Sequence, residues 1–220
     1  FKRNIIKVSC VIIIIISFFM FYSILSTKYN NSKLYVVFLD VGQGDSFLIK
    51  LPNEKTILID AGNASDKFSS GKDVIIPALK YFNIHCIDYL FISHIDNDHY
   101  LGSFDLFGKI PIKCIIKPKL NFNLDKDKEF EKKVRNHKIE LKYYNHNVIT
   151  LANSKIYILN DSLWINKTTN ESSAIIKLQY GKNSILFMGD AGKKKEHLLI
   201  KKYGNFIDCD ILKVGHHGSK

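Results

Sequence analysis

The chain has 220 residues, 46% of them hydrophobic and 24% charged, which suits one domain with a sizeable core and excludes a low-complexity or disordered polypeptide. The net charge is +11, and residues 1–28 carry four basic and no acidic residue, which leaves +7 on the remainder. A positive domain attracts polyanions such as nucleic acid or anionic lipid, although abundant lysine from a biased genome explains the charge equally well.

Val8 to Leu25 contains no charged residue, and Ile5 to Leu25 is apolar enough for a membrane span of roughly 20 residues. Its isoleucines are poor helix formers in water, but lipid leaves the backbone little choice except a helix. The expectation is a transmembrane helix and flank over residues 1–28. Lys2, Arg3 and Lys7 precede it, whereas Lys28 and Lys33 follow. The positive-inside rule then puts the N-terminus in the cytoplasm and the following domain on the extracellular side of the cell membrane. The alternative, a cleaved signal peptide, fits less well because the run is long and lacks an Ala-x-Ala site. Residues 29–33 read as a linker.

Leu34 to Leu39 reads as a strand, followed by Asp40-Val41-Gly42-Gln43-Gly44-Asp45-Ser46. Two glycines allow a tight turn near a ligand, with Asp45 beyond it; alone, such a segment is more often a hairpin turn. Phe47–Leu51 and Thr56–Ile59 read as a hairpin around Pro52-Asn53, closed by Asp60-Ala61-Gly62. Asp73 to Phe82 suggests a helix with Pro77 in its first turn or interrupting it. The apolar run Tyr89–Ile92 then reads as a buried strand that opens into Ser93-His94-Ile95-Asp96-Asn97-Asp98-His99-Tyr100-Leu101-Gly102. Here His94, Asp96, Asp98 and His99 fall within six residues. His94 and Asp96 would face one metal ion, and Asp98 and His99 a second; the alternative is a polar turn, which leaves the histidines unexplained.

Further along, Ile112–Ile116 reads as a strand and Asp125–His137 as an amphipathic helix with Phe130 and Val134 inward. His137 and His146 carry no motif and read as surface residues. Asn170-Glu171-Ser172-Ser173 precedes the strand Ala174–Tyr180; Asn170 either supports a metal or is a turn residue. Ser184–Met188 leads to Gly189-Asp190, and the two oxygens of Asp190 can each take one cation. Ala191–Tyr203 reads as a helix stopped by Gly204. Its Lys193, Lys194 and Lys195 line either a phosphate-binding rim or a solvated face. Asp210–Val214 then delivers Gly215-His216-His217-Gly218-Ser219: one His would complete the second metal and the other donate to a leaving oxygen. Cys10, Cys86, Cys114 and Cys209 are far apart and imply neither disulfides nor a zinc knuckle; the last three read as small buried residues.

The central stretch resembles the His-x-His/Asp-x-Asp-His signature of the metallo-β-lactamase superfamily. Asp96 in the second place resembles the form in ComEC/Rec2 competence proteins. Phe38–Ser46, Leu58–Gly62, Phe187–Asp190 and Leu212–Ser219 support the narrower resemblance, in the family's order, over about residues 34–220. Leu101-Gly102 departs from it, since the family usually has two glycines there.

The resemblance implies a hydrolase domain over 34–220, an α/β fold built as an αββα sandwich and lacking its closing strands and helix. The chain, which starts at Phe1 and stops directly after a motif, reads as a fragment of a longer protein. Two divalent metal ions, manganese or zinc, would be held by His94, Asp96, Asp98, His99, Asp190 and His216; oxygen-rich ligation favours manganese. Asp98 and His217 would be catalytic, with Asp45, Asp60 and Asn170 in support. The implied substrate is a DNA phosphodiester, the implied role strand processing during DNA uptake in natural competence. Single-stranded DNA, the membrane, a channel region of the same polypeptide and other competence proteins are the implied partners. Two alternatives stay open: a membrane-anchored hydrolase of a small ester, lactone, thioester or phosphonate, and a non-catalytic DNA-docking module.

Overall fold

In a computed structural model the described residues are 11–23, 25, 33–120, 122–144, 148–151, 153–159 and 168–218. Residues 11–23 are helical (α1) and their apolar side chains are exposed. Among the described residues no helix is long and apolar enough to cross a membrane. The transmembrane helix expected over 1–28 is therefore not seen; its charged flanks, most of the 29–33 linker and Cys10 lie outside the described residues.

The domain is two packed sheets. The first runs β1 (Tyr35–Phe38), β2 (Phe47–Lys50), β3 (Thr56–Ile59), β4 (Ile87–Phe91), β5 (Ile112–Lys117) and β6 (Glu140–Tyr143), in that spatial order. β1, β2 and β3 pair antiparallel and β3 to β6 parallel. The second sheet contains β7 (Val148–Leu151), β8 (Ser154–Ile158), β9 (Ile176–Tyr180), β10 (Asn183–Phe187) and β11 (Ile211–Lys213). Its pairs are antiparallel except β10 with β11.

Side-chain alternation divides each strand between two cores. Phe47, Ile49, Ile57, Ile59 and Phe91 face Ile156, Ile176, Leu178, Ile185 and Phe187 between the sheets. Leu48, Leu58 and Leu90, one residue out of step, face the helical layer instead. That layer holds a π-helical turn (Gly71–Ile75) running into α2 (Ile76–Tyr81), the single turn α3 (Asn97–Tyr100) and α4 (Asp125–Asn136). Behind the second sheet, Leu199 of α5 (Lys193–Tyr203) packs on Leu186 and Met188. The layers are thus α, β, β, α, as expected.

The cysteines form no disulfide among the described residues: Cys114 is buried, whereas Cys86 and Cys209, expected buried, are only half-buried. Leu101 is half-buried. It packs against the helical-layer core, and the close contact belongs to Gly102, whose added Cβ would lie 2.1 Å from the Ala61 carbonyl oxygen.

Candidate metal centre

The site forms where β3, β4, β10 and β11 end. Asp60 follows β3 in a left-handed conformation (φ 57°) and is buried. Its Oδ1 accepts the Ser93 N–H at 2.7 Å, and its Oδ2 accepts the Ser93 hydroxyl at 2.6 Å. The same Oδ2 lies 2.9 Å from His99 Nδ1. Asp60 therefore holds the loop after β4 and engages the Nδ1 side of His99, which turns Nε2 to the site. Ser93 Oγ, having donated its hydrogen to Asp60, accepts from His94 Nδ1 at 3.0 Å and leaves His94 Nε2 facing the same way. Both histidines are fully buried, with ring centroids 4.1 Å apart.

Asp190 projects from the end of β10 between these rings. Its Oδ1 is 3.4 Å from His99 Nε2 and its Oδ2 is 3.8 Å from His94 Nε2. One residue thus presents an oxygen to each imidazole. Asp98, at the start of α3, has Oδ2 3.9 Å from His99 Nε2. The last contributor is His217 and not His216. His217 Nε2 lies 3.8 Å from Asp98 Oδ2 and 3.7 Å from Asp190 Oδ1. Both residues are left-handed (φ 46° and 51°), so the chain turns between them; His216 is exposed and joins no metal-capable group.

Asp45 is buried at the edge of the cluster, with Oδ1 3.6 Å from His217 Nδ1. Its backbone N–H donates to the Asp98 carbonyl at 3.2 Å, so the β1–β2 loop lies directly on the metal loop. Gly44 makes this approach feasible: its φ is +121°, and a Cβ there would sit 2.1 Å from the Asp98 carbonyl oxygen. The Asp45 carboxylate also pairs with the Lys213 ammonium, which lies 3.8 Å from Asp190 Oδ1 and donates to the Gly189 carbonyl at 2.9 Å. Burial raises the Asp45 pKa, with Lys213 opposing it and Asp60 adding to it.

Asp96 sits differently. Its Oδ2 is 3.5 Å from His94 Nε2, but the carboxylate is held by residues outside any motif: Lys126 Nζ at 2.5 Å from Oδ1 and Thr169 Oγ1 at 2.7 Å from Oδ2. Burial raises its pKa, and hydrogen bonds from His94, Lys126 and Thr169 outweigh this and hold it well below the usual carboxylate range. Asn170 lies in the turn Asn170–Ser172, beside Thr169 and near the cluster. Lys195, expected on a rim or a solvated face, is buried; it donates to the carbonyls of Glu171 (2.8 Å) and Ser173 (2.5 Å) and fixes that turn. Burial lowers its pKa to about 7. Lys193 and Lys194 are exposed. His137 is exposed and bonds the Lys133 carbonyl; His146 lies outside the described residues.

Burial lowers the His99 pKa, but the Asp60 and Asp190 carboxylates outweigh it and push the value up to about 10. His94 Nε2, His99 Nε2 and Asp190 Oδ1 are buried with no hydrogen-bond partner among the described residues. Orphaned buried atoms are costly and call for an explanation. A cation supplies one. Four groups, His94/His99/Asp190, Asp98/His99/His217, Asp45/Asp190/His217 and Asp45/Asp60/His99, each bring their ligand atoms within 4.8 Å of one another. Tetrahedral bonds of about 2.1 Å place ligand atoms about 3.4 Å apart, close to the spacings here. Imidazole nitrogen with carboxylate oxygen is a donor set for divalent transition metals.

Lys126, Thr169 and Lys213 were not foreseen as site residues. Lys213 stands inside the quoted C-terminal motif and could have been suspected there. Lys126 and Thr169 come from segments without any signal.

The model of the metallo-beta-lactamase superfamily matches residues 39–220. Among curated proteins, the chain is 28% identical over 203 residues to ComE operon protein 3 of Bacillus subtilis, covering 86% of this chain and 26% of that protein. It is 32% identical over 186 residues to Recombination protein 2 of Haemophilus influenzae, covering 83% and 21%. Competence protein ComA of Neisseria gonorrhoeae is 29% identical over 189 residues, with 86% and 24% covered. The chain thus spans about a quarter of the length of these relatives. Among solved structures, CmlA, a diiron β-hydroxylase from Streptomyces venezuelae, is similar with a TM-score of 0.51 at 15% identity, over 82% of this chain and 34% of that one. A "possible metal-dependent hydrolase" from Veillonella parvula gives 0.50 at 10% identity, over 82% and 70%. These two likenesses speak for the fold alone. The family match, the αββα layers and the His/Asp cluster at the strand ends agree, and the chain belongs to the metallo-beta-lactamase superfamily.

Proposed function

We propose that this chain is a metal-dependent hydrolase of the ComEC/Rec2 type that cleaves phosphodiester bonds of DNA during DNA uptake. The observation that carries the reading is the convergence of His94 Nε2, His99 Nε2 and Asp190 Oδ1, buried and unsatisfied, beside Asp98 and His217. Similarity to Recombination protein 2 and to competence protein ComA supports DNA as the substrate. A positive charge of +11 suits a polyanion.

His94, His99, Asp190, Asp98 and His217 would hold divalent metal, with Asp96 joining His94 and with His217 in the ligand place first assigned to His216. Bound metal would polarise a phosphoryl oxygen and acidify the attacking water. Asp98, the more exposed carboxylate of the cluster, would accept a proton at Oδ2. Asp60 and Ser93 keep both histidines oriented through the reaction, and Asp45 with Lys213 supports His217 from behind.

The test is incubation of the full-length protein with labelled single- and double-stranded DNA and manganese, zinc or neither. Metal-dependent cleavage is expected, reduced about 100-fold or more in Asp98→Ala/His99→Ala. Salt-sensitive DNA binding without cleavage would point to a docking module instead. A folded, metal-loaded protein that neither binds nor cuts DNA would move the search to small esters.

A further inference from the structure

Two lysines touch the cluster, and they differ. Lys213 is 9% exposed, and its ammonium is fixed between the Asp45 carboxylate and the Gly189 carbonyl. Lys126 is 30% exposed and pairs with Asp96 Oδ1 at 2.5 Å. It lies on the first turn of α4, a helix tied to β5 by the buried Lys117, whose Nζ is 2.6 Å from Asp127 and 3.1 Å from Glu131. Phe130 and Val134 hold the same helix against the core. The Lys126 backbone is thereby fixed, while its partly exposed side chain borders water.

Asp96 has both oxygens engaged, one by Lys126 and the other by Thr169. It stands in none of the ready groups of metal-capable residues, whereas His94, its neighbour across 3.5 Å, joins one with His99 and Asp190 and has an unsatisfied Nε2. On the other side, Asp98, His99 and His217 already converge, with Asp190 close to both histidines. An ammonium and a divalent cation cannot share one carboxylate without strong repulsion.

We propose that Lys126 is a built-in counter-cation at the Asp96 side of the centre, so that the two cation positions fill in sequence. The position of Asp98, His99, Asp190 and His217 fills first. The position of His94 and Asp96 fills second, when Lys126 swings out to solvent. The proposal rests on reading the cluster as a metal centre, and not on what the substrate is.

The experiment is a manganese titration of the full chain by calorimetry, with bound metal counted by native mass spectrometry. The wild type is expected to take up one equivalent tightly and a second weakly. Lys126→Met should tighten the second step about tenfold and leave the first unchanged. Lys126→Arg, which keeps the charge, should titrate as wild type, as should Lys128→Met on the exposed face of the same helix. Asp96→Asn should abolish the second step with either residue at 126. Identical isotherms for wild type and Lys126→Met, or a change in the first step only, would overturn the proposal. A wild type that binds no manganese would overturn it together with the metal reading. Sequential filling in a protein that leaves DNA intact would sink the nuclease reading alone.

Discussion

His216 and His217 are neighbours in sequence and both exposed, but only His217 joins the cluster. The Gly-His-His-Gly string announces a site, but left-handed φ values at both residues decide which ring turns inward, and spacing alone does not reveal that turn. His217→Ala should weaken metal binding about 10- to 100-fold by competition with a chelating dye, with His216→Ala near wild type. Lys195 offers a second test at this scale. Its amine has two N–H groups for two carbonyls even when neutral, and burial lowers its pKa from 10.5 to about 7. Between these values the unfolded chain binds the extra proton, so stability rises with pH from about 7 to 10.5 and gains nothing more above. Urea denaturation across that window should show a gain of up to about 5 kcal/mol in the wild type that Lys195→Met lacks. The first-rank residues His94, Asp98, His99 and Asp190 were legible because they crowd one loop or end an apolar strand. Lys126 and Thr169 reach Asp96 from α4 and a turn far along the chain, and only the tertiary fold brings them in.

Among elements, the expected strands were readable: β1 to β5 and β9 to β11 appear within about two residues of expectation. β6, β7 and β8 were not anticipated. β6 is Glu-Leu-Lys-Tyr and mostly exposed, so it lacks the apolar run that marks a strand, and its parallel pairing with β5 supplies what its sequence does not. α3 was legible only as ligands, because a single turn has no periodicity to read. The β1–β2 loop is where element geometry matters most for the site. Gly44→Ala should cost about 2–4 kcal/mol in urea denaturation, because its added Cβ meets the Asp98 backbone and its φ is unsuited to an L-residue. Gly42→Ala is a useful contrast: its Cβ meets nothing within 4 Å, and only its φ of +72° is strained, at a cost of about 1 kcal/mol.

For the whole molecule, both sheets direct strand ends to one rim, and the site draws on each: Asp60 and the metal loop from the first, Asp190, Lys213 and His217 from the second. Among the described residues β11, three residues long, pairs only with β10. Ile211, Leu212 and Val214 are about half exposed there, beside an apolar groove of about 230 Å³ lined by Met188, Leu199 and Ile200. β11 carries Lys213 and leads into the turn that holds His217, both of them residues of the cluster. A cation held at once by the loop after β4 and the turn after β11 would act as a reversible cross-link between early and late parts of the chain. Part of its binding energy would then appear as mechanical closure of the sandwich. Hydrogen exchange should register this: a chelator should speed exchange at 211–213 at least about tenfold and leave the centre of β4 unchanged. On this view metal supply would set how firmly the domain is shut as well as how fast it turns over.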